Sequence, residues 1–406
     1  MLGLALEGGG AKGAFHIGAV KALLENGYEF DGVVGTSIGA FNGALISQGD
    51  FEKAYDLWIN MEPSMLFDIE DECMRNIVHN GLTKETIKYI SSRTINLIEN
   101  RGIDTSKMRR VLYENVDEYK LRTSNIDFGM VTVSIPDFNP VEVYKEDIPA
   151  GKIRDYIMAS ANFPGFKLYP IDGKYYIDGG IYDNCPVNLL IRKGYKDVIA
   201  VRTSKNDKFS NIVNKDVRIR SIIASEDLGN ALIFDNDLIR RNITLGYFDA
   251  IRMVKNLKGR KYYIEPFEEV FFFDILNNIP ENVILQIGET LKVPQMDSKR
   301  MLFEKIIPTI ADLLKLPNTA TYEEIFIGLL EVIAEKKSVE KFNIYSINEF
   351  IDAIEKTSPI ESRDERKRRH LRDLKKLVSE LLGSHMLDEL AYVVLDTLPI
   401  GNFKIK

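Results

Sequence analysis

The sequence predicts an α/β fold, a mostly parallel central sheet with helices on both faces, continued by a mainly helical C-terminal region. Three observations carry that expectation. Strand, glycine loop, helix and strand follow one another between Leu2 and Thr36, the order of a βαβ unit, which brings parallel neighbours together. Short apolar runs bounded by turn residues then recur up to about residue 224. Beyond residue 261 apolar residues instead repeat at helical spacing, in segments bounded or interrupted by Pro294, Pro308, Pro317, Pro359 and Pro399. With 406 residues the chain can build more than one core. The expected division is an α/β domain over 1–205, an extension packed on it over 206–260, and a helical accessory region over 261–406.

Taken in order, residues 2–6 are uninterrupted by charge and read as a buried strand. Glu7 and the run Gly8-Gly9-Gly10-Ala11-Lys12-Gly13 follow. A helix is expected from Ala14 to about residue 25, with Ile17, Val20, Ala22, Leu23 and Leu24 available for the core and Asn26-Gly27 as its stop. Val33 and Val34 form a second short strand, which enters Gly35-Thr36-Ser37-Ile38-Gly39 and a small-residue helix from Ala40 to about residue 48. Helices are expected over 51–61, 83–99 and 104–115, with Met65-Leu66-Phe67 as a packed loop. Alternation marks 126–135 as a strand, and 141–144 pairs with it. A helix over 153–161 breaks at Pro164-Gly165, and a strand over 173–177 ends in Asp178-Gly179-Gly180. Asn184-Cys185-Pro186-Val187 opens another helix, with strands at 198–201 and 217–224 after it. Helical patterns at 228–254, 282–291, 298–314, 322–337, 347–356, 363–382 and 386–395 complete the chain.

A formal net charge of −7 argues against a dedicated nucleic-acid binder. Cys73 and Cys185 lie far apart in no ligand-like spacing, which suits a reducing compartment and gives no thiolate metal site. No signal peptide is expected, and no window approaches about 18 uninterrupted apolar residues. The expected location is the cytoplasm, with membrane contact at most peripheral. Two stretches bear on such contact. Phe271-Phe272-Phe273 with Ile275-Leu276 reads first as core and second as a lipid contact. Residues 361–376 hold eight Lys/Arg against four Asp/Glu, and Leu371, Leu374, Leu377, Val378, Leu381 and Leu382 share a helical face. A bundle helix with a solvated face accounts for that segment better than a membrane helix does.

Gly35 and Gly39 around Ser37 have a mechanical meaning. A nucleophile on a tight strand-to-helix turn needs glycines on both sides, so that nothing blocks the hydroxyl or collides with the neighbouring strand. The helix N-terminus behind Ser37 favours developing negative charge. Gly8, Gly10 and Gly13 also match the G-x-G-x-x-G spacing of dinucleotide binding. That reading lacks its ribose contact, because the second strand ends in Thr36-Ser37 and the only nearby acid, Asp31, sits at its start. The other reading makes the successive N–H groups of residues 8–13, helped by Ile38 N–H, an oxyanion hole beside Ser37, with Lys12 adding positive charge.

An activated serine needs a proton acceptor. None of His16, His79, His370 and His385 follows a strand, and all four read as polar surface or satisfied helix positions. Asp178 does follow a strand, and Gly179-Gly180 leave room for close approach. Its carboxylate, with an ordinary pKa of about 3.9, becomes a workable base where burial beside an apolar pocket raises that value. A plain Asp-Gly turn stays open as the alternative.

The glycine run, the G-x-S-x-G turn and Asp178-Gly179-Gly180, in that order, resemble the patatin-like phospholipases. Ala159-Ser160-Ala161 with Pro164, and Asn184 with Pro186, are similar to that family's usual surroundings. The resemblance covers residues 1–205. It implies an α/β lipid acyl hydrolase that uses Ser37 and Asp178 as a dyad and a glycine-rich oxyanion loop, without histidine, metal or other cofactor. It also implies a fatty-acyl ester substrate, phospholipid or lysophospholipid, and no catalytic role passes to His16. The alternatives are a lipid transacylase, a nucleotide-binding protein and a non-catalytic lipid-binding module.

Overall fold

Leu2–Leu6 forms strand β1, and its position explains its composition: Gly32–Thr36 (β2) lies parallel on one side and Asp197–Arg202 (β6) parallel on the other. A strand with both edges paired and both faces covered has no place for a polar side chain. In this computed structural model, residues 1–67, 103–204, 209, 212–267 and 276–356 are described. The chain divides into two units, Met1–Val254 and Lys255–Lys406.

The sheet of the first unit is completed by Asp127–Ile135 (β3), Asn139–Tyr144 (β4), Tyr175–Asp178 (β5) and Arg218–Ile223 (β7). Its order is β4-β3-β2-β1-β6-β7, with β5 paired to β3. The β3-β2-β1-β6-β7 run is parallel, while β4 and β5 lie antiparallel to β3. Pairing along β3 brings two strand ends together. β2 pairs with β3 up to Thr36↔Val131, and β5, running antiparallel, ends its pairing at Asp178↔Thr132. The two strands therefore lie end to end along β3.

Helices Ala14–Glu25 (α1), Ile38–Ser47 (α2) and Phe51–Ile59 (α3) contribute to one apolar layer, in which Ile17, Ala40, Ala44, Leu45 and Trp58 join Phe128 and Met130 of β3. Val187–Arg192 opposes Ala5, Val34, Val198 and Ala200 through Leu189, Leu190 and the following Tyr195. Small residues make that approach possible. A Cβ on Gly3 would stand 2.7 Å from Leu190 Cδ1, and one on Gly32 2.3 Å from Tyr195 Oη.

The second unit carries helices Glu281–Thr290, Tyr322–Lys336 and Ile347–Lys356, and a continuous helical run over 298–313 with a π-helical turn at Leu302–Ile306. Ile284, Ile333, Phe350, Ile351 and Ile354 form its centre. Two short parallel strands, Tyr263–Ile264 and Ile344–Tyr345, have no counterpart in the apolar periodicity, which cannot register two-residue elements.

Two expectations are corrected. The helix expected from 228 begins only at Asn236, because the side chains of Asp227 and Asn230 accept the N–H groups of Gly229 and Leu232 and hold that stretch in turns, while Asp235 caps the helix start by accepting from Leu238 N–H. The helix near 104–115 is followed by another, Glu118–Thr123, capped by Asp117, whose side chain accepts from Tyr119 and Lys120 N–H. Cys73, His79, His370, His385, Phe271-Phe272-Phe273, the basic segment 361–376 and the helices expected at 83–99, 363–382 and 386–395 lie outside the described residues. No helix among the described residues is long and apolar enough to cross a membrane.

Candidate active site

Ser37 follows β2 directly and heads α2, with φ 57° and ψ −126°. That left-handed backbone is strained for a residue with a side chain, and its neighbours are what make it attainable. A Cβ on Gly35 would lie 2.2 Å from Gly39 C, and one on Gly39 would lie 2.2 Å from Leu6 O. Either would push the elbow off the sheet. Hydrogen bonds then fix the turn. Ser37 N–H donates to Ser160 Oγ at 2.9 Å, Ser160 Oγ donates to Val131 O at 2.6 Å, and Thr36 Oγ1 donates to Asp183 O at 2.8 Å. Ser37 O accepts from Ala40 and Phe41 N–H. Ile38, at the first position of α2, has no intrahelical acceptor for its N–H.

Ser37 Oγ donates to Asp178 Oδ2 at 2.6 Å, while Asp178 Oδ1 accepts from Gly180 N–H at 2.8 Å. Asp178 as a residue is 7% exposed. Burial pushes its pKa up from 3.8 to about 6, and the hydrogen bonds from Ser37 and Gly180 oppose that rise without cancelling it. Asp178 N–H donates to Asn162 O, and a Cβ on Gly179 would stand 2.2 Å from Val131 O, so the turn after β5 lies against β3.

The glycine loop approaches the same point. A Cβ on Gly8 would stand 3.3 Å from Ser37 Cβ, and one on Gly13 2.6 Å from Ile38 Cγ1. Its N–H groups are not equivalent. Gly8 N–H donates to Asn184 O at 2.9 Å, Ala11 N–H to Ala231 O at 2.7 Å and Lys12 N–H to Gly9 O at 3.2 Å, while Gly13 closes the 3-10 turn. The expectation of donors all along residues 8–13 therefore narrows: Gly9 and Gly10 keep N–H groups with no acceptor among the described residues. Lys12 is partly buried, and the groups that act on the dyad carboxylate do not include it.

The loop's foundation was not anticipated from sequence. Glu7, buried at the end of β1, pairs with Arg202 and accepts from the N–H groups of Thr203 and Ser204; Thr203 Oγ1 in turn donates to Gly8 O at 2.6 Å. A lone carboxylate between an apolar strand and three glycines was the available signal. Ser160 and Asn184 were visible only as residues near the motifs, and Asn162 was not singled out.

His16 is corrected from surface or satisfied helix position to a fully buried group. Burial lowers its pKa to about 3, so it is neutral at pH 7. Its Nδ1 lies 3.4 Å from Asn42 Nδ2, and its Nε2 has no partner among the described residues. Asn42 also donates to Gly13 O and accepts from Trp58 Nε1, which ties the loop's end to α2 and α3.

Fold and site together define an α/β protein organised around a buried Ser–Asp pair and a glycine loop. Residues 4–191 match the family model described as patatin-like phospholipase. It is 30% identical over 208 residues to "Lysophospholipase NTE1" of Kluyveromyces lactis, a match covering 51% of this chain and 13% of that protein. With human "Patatin-like phospholipase domain-containing protein 6" the identity is 27% over 214 residues, covering 51% and 14%. The chain thus corresponds to a small part of these relatives. Among solved structures, VipD from Legionella pneumophila aligns over 99% of this chain and 91% of its own, with 14% identity and a TM-score of 0.41.

Proposed function

We propose that the protein is a lipid acyl hydrolase that cleaves fatty-acyl ester bonds of phospholipids or lysophospholipids through Ser37 and Asp178. The observation that carries the reading is the 2.6 Å contact between Ser37 Oγ, on its strained elbow, and the buried Asp178 carboxylate. Ser37 Oγ attacks the ester carbonyl as its proton passes to Asp178 Oδ2. The oxyanion is taken up by the N–H groups of Gly9, Gly10 and Ile38, three donors that have no protein acceptor among the described residues. Asp178 returns the proton to the departing alcohol, leaving an acyl-serine. Water then attacks that ester and gives a proton to Asp178, which passes it to Ser37 Oγ as the acyl–oxygen bond breaks and the free fatty acid forms.

A carboxylate near pKa 6 is ionised at pH 7 and yet a stronger base than an exposed one, which supports Asp178 in this role without an imidazole. The two relatives' names, lysophospholipase and phospholipase, support a phospholipid-type ester. Access from a membrane surface fits Ile181 and Tyr182, 54% and 49% exposed just beyond Asp178. Contact with the bilayer would be peripheral, and no nucleic acid is involved. The buried thiol of Cys185, far along the sequence from Cys73, suits the cytoplasm.

Purified protein is expected to release fatty acid from lysophosphatidylcholine or a p-nitrophenyl acyl ester, and Ser37→Ala and Asp178→Asn each to remove nearly all of that release. A fluorophosphonate probe should label wild type and not Ser37→Ala. Full turnover in either variant would end the proposal. Acylated product formed from an added acceptor lipid would reassign the protein as a transacylase.

A further inference from the structure

Asn184 stands between the glycine loop and the turn that carries the base, and its side chain has no part in the proton transfer between Ser37 and Asp178. Its backbone is fixed from three sides. Thr36 Oγ1 donates to Asp183 O at 2.8 Å, Cys185 N–H donates to Asp183 Oδ1 at 3.1 Å, and Gly8 N–H donates to Asn184 O at 2.9 Å. The amide lies across two glycines. A Cβ on Gly8 would stand 2.3 Å from Asn184 Oδ1 and 3.3 Å from Ser37 Cβ, and a Cβ on Gly180 would stand 2.8 Å from Asn184 Oδ1 and 3.1 Å from Asp178 Oδ1. Neither glycine has the positive φ that would demand glycine on backbone grounds. What both make room for is the Asn184 amide, whose oxygen thereby comes close to the nucleophile past Gly8 and to the base past Gly180.

That oxygen is unused. Asn184 Nδ2 donates to Gly8 O at 3.4 Å, while Oδ1 accepts from no group among the described residues, and the residue is half-buried, so water can reach it. The Gly180 distances place Asn184 Oδ1 and Asp178 Oδ1 within the span of a single bridging water, which makes two hydrogen bonds of about 3 Å or less.

Acylation of Ser37 changes what the base has to spare. Once Oγ is an ester oxygen it no longer donates to Asp178 Oδ2, and the carboxylate regains an acceptor position. An attacking water has two hydrogens to place. One passes to Asp178, and the other needs an acceptor that holds it without taking it. An amide oxygen is such an acceptor, and a water held by both hydrogens keeps a lone pair free for the acyl carbon.

We infer that Asn184 is a further catalytic residue, whose Oδ1 accepts the second hydrogen of the water that hydrolyses the acyl-serine and so makes water a better acyl acceptor than an alcohol. The inference rests on the hydrolase reading. The water oxygen bonds to the acyl carbon, one proton goes to Asp178 and on to Ser37 Oγ as the acyl–oxygen bond breaks, and the second hydrogen leaves on the fatty acid. An alcohol has a single hydroxyl hydrogen, which Asp178 takes. It puts carbon where the second hydrogen of water would meet Asn184, and it gains nothing from that amide.

The fate of the acyl-serine tests this. The full chain is given a p-nitrophenyl acyl ester at a fixed methanol concentration, and free fatty acid and fatty-acid methyl ester are measured together. The ratio of methyl ester to fatty acid is expected to rise about three- to tenfold in Asn184→Ala and in the apolar near-isostere Asn184→Leu, the loss of one hydrogen bond. It is expected to return toward the wild-type value in Asn184→Asp, which restores an acceptor. The ratio is set after acylation, so a merely structural role for Asn184, which would lower the amount of active enzyme or its acylation rate, leaves it unmoved. An unchanged ratio in whichever of the Ala and Leu variants folds, or an Asp variant as prone to alcoholysis as these, overturns the inference while the hydrolase reading stands. If wild type forms neither product, the hydrolase reading fails and the inference falls with it.

Discussion

Asp178→Asn is expected to stabilise the protein while removing its activity. Burial raises the carboxyl pKa from 3.8 to about 6. At about 1.4 kcal/mol per pH unit, the ionised form costs the fold about 3 kcal/mol at pH 7.5. The hydrogen bonds from Ser37 and Gly180 are already inside that net figure. An asparagine can keep both contacts: Oδ1 stays on Gly180 N–H, and the amide nitrogen takes the place of Oδ2 and donates to Ser37 Oγ. The sign follows from proton counts. Between pH 3.8 and about 6 the folded state holds a proton that the unfolded state has released, so wild type loses stability as pH rises through this window. The gain from Asn is full above about pH 6, falls to about half at pH 5 and vanishes below the unfolded pKa. Trp58 is the single tryptophan and is buried in the first unit, so its fluorescence in a denaturant titration reads that unit's unfolding. A variant no more stable than wild type at pH 7.5, or a gain that does not shrink at pH 5, would refute the reasoning.

The same carboxylate sets the pH profile: log kcat/KM for a p-nitrophenyl ester should fall with unit slope below about pH 6 and level off above it, and a midpoint near pH 4 would exclude Asp178 as the base. Ser160→Ala removes the acceptor of Ser37 N–H and the donor to Val131 O; kcat should drop about 10- to 100-fold from misplacement of the nucleophile, with KM nearly kept, and a variant of wild-type kcat contradicts the role. Gly39→Ala puts a Cβ 2.2 Å from the carbonyl oxygen of Leu6 in β1. It should destabilise the first unit by more than about 3 kcal/mol, and a normally stable Gly39→Ala would mean that the elbow can relax.

Residues close together in sequence were enough to place much of this protein. The first strand, α1 and the Ser37 elbow follow from apolar runs and glycine spacing, because backbone sterics act over a few residues and leave their record in the local sequence. The Ser–Asp contact had to be inferred from motif order. What creates it is a register: β2 stops opposite Val131 of β3, and β5, running the other way, ends opposite Thr132, so the residues at their facing ends meet. The choice of free N–H groups in the glycine loop was equally invisible, since Asn184 O and Ala231 O, which occupy Gly8 and Ala11, come from distant parts of the chain. Burial decided the remaining chemistry. Asp178 and His16 have ordinary pKa values in an extended chain, and only the packing around them raises one and lowers the other, because a charged group loses its water where a neutral one loses little.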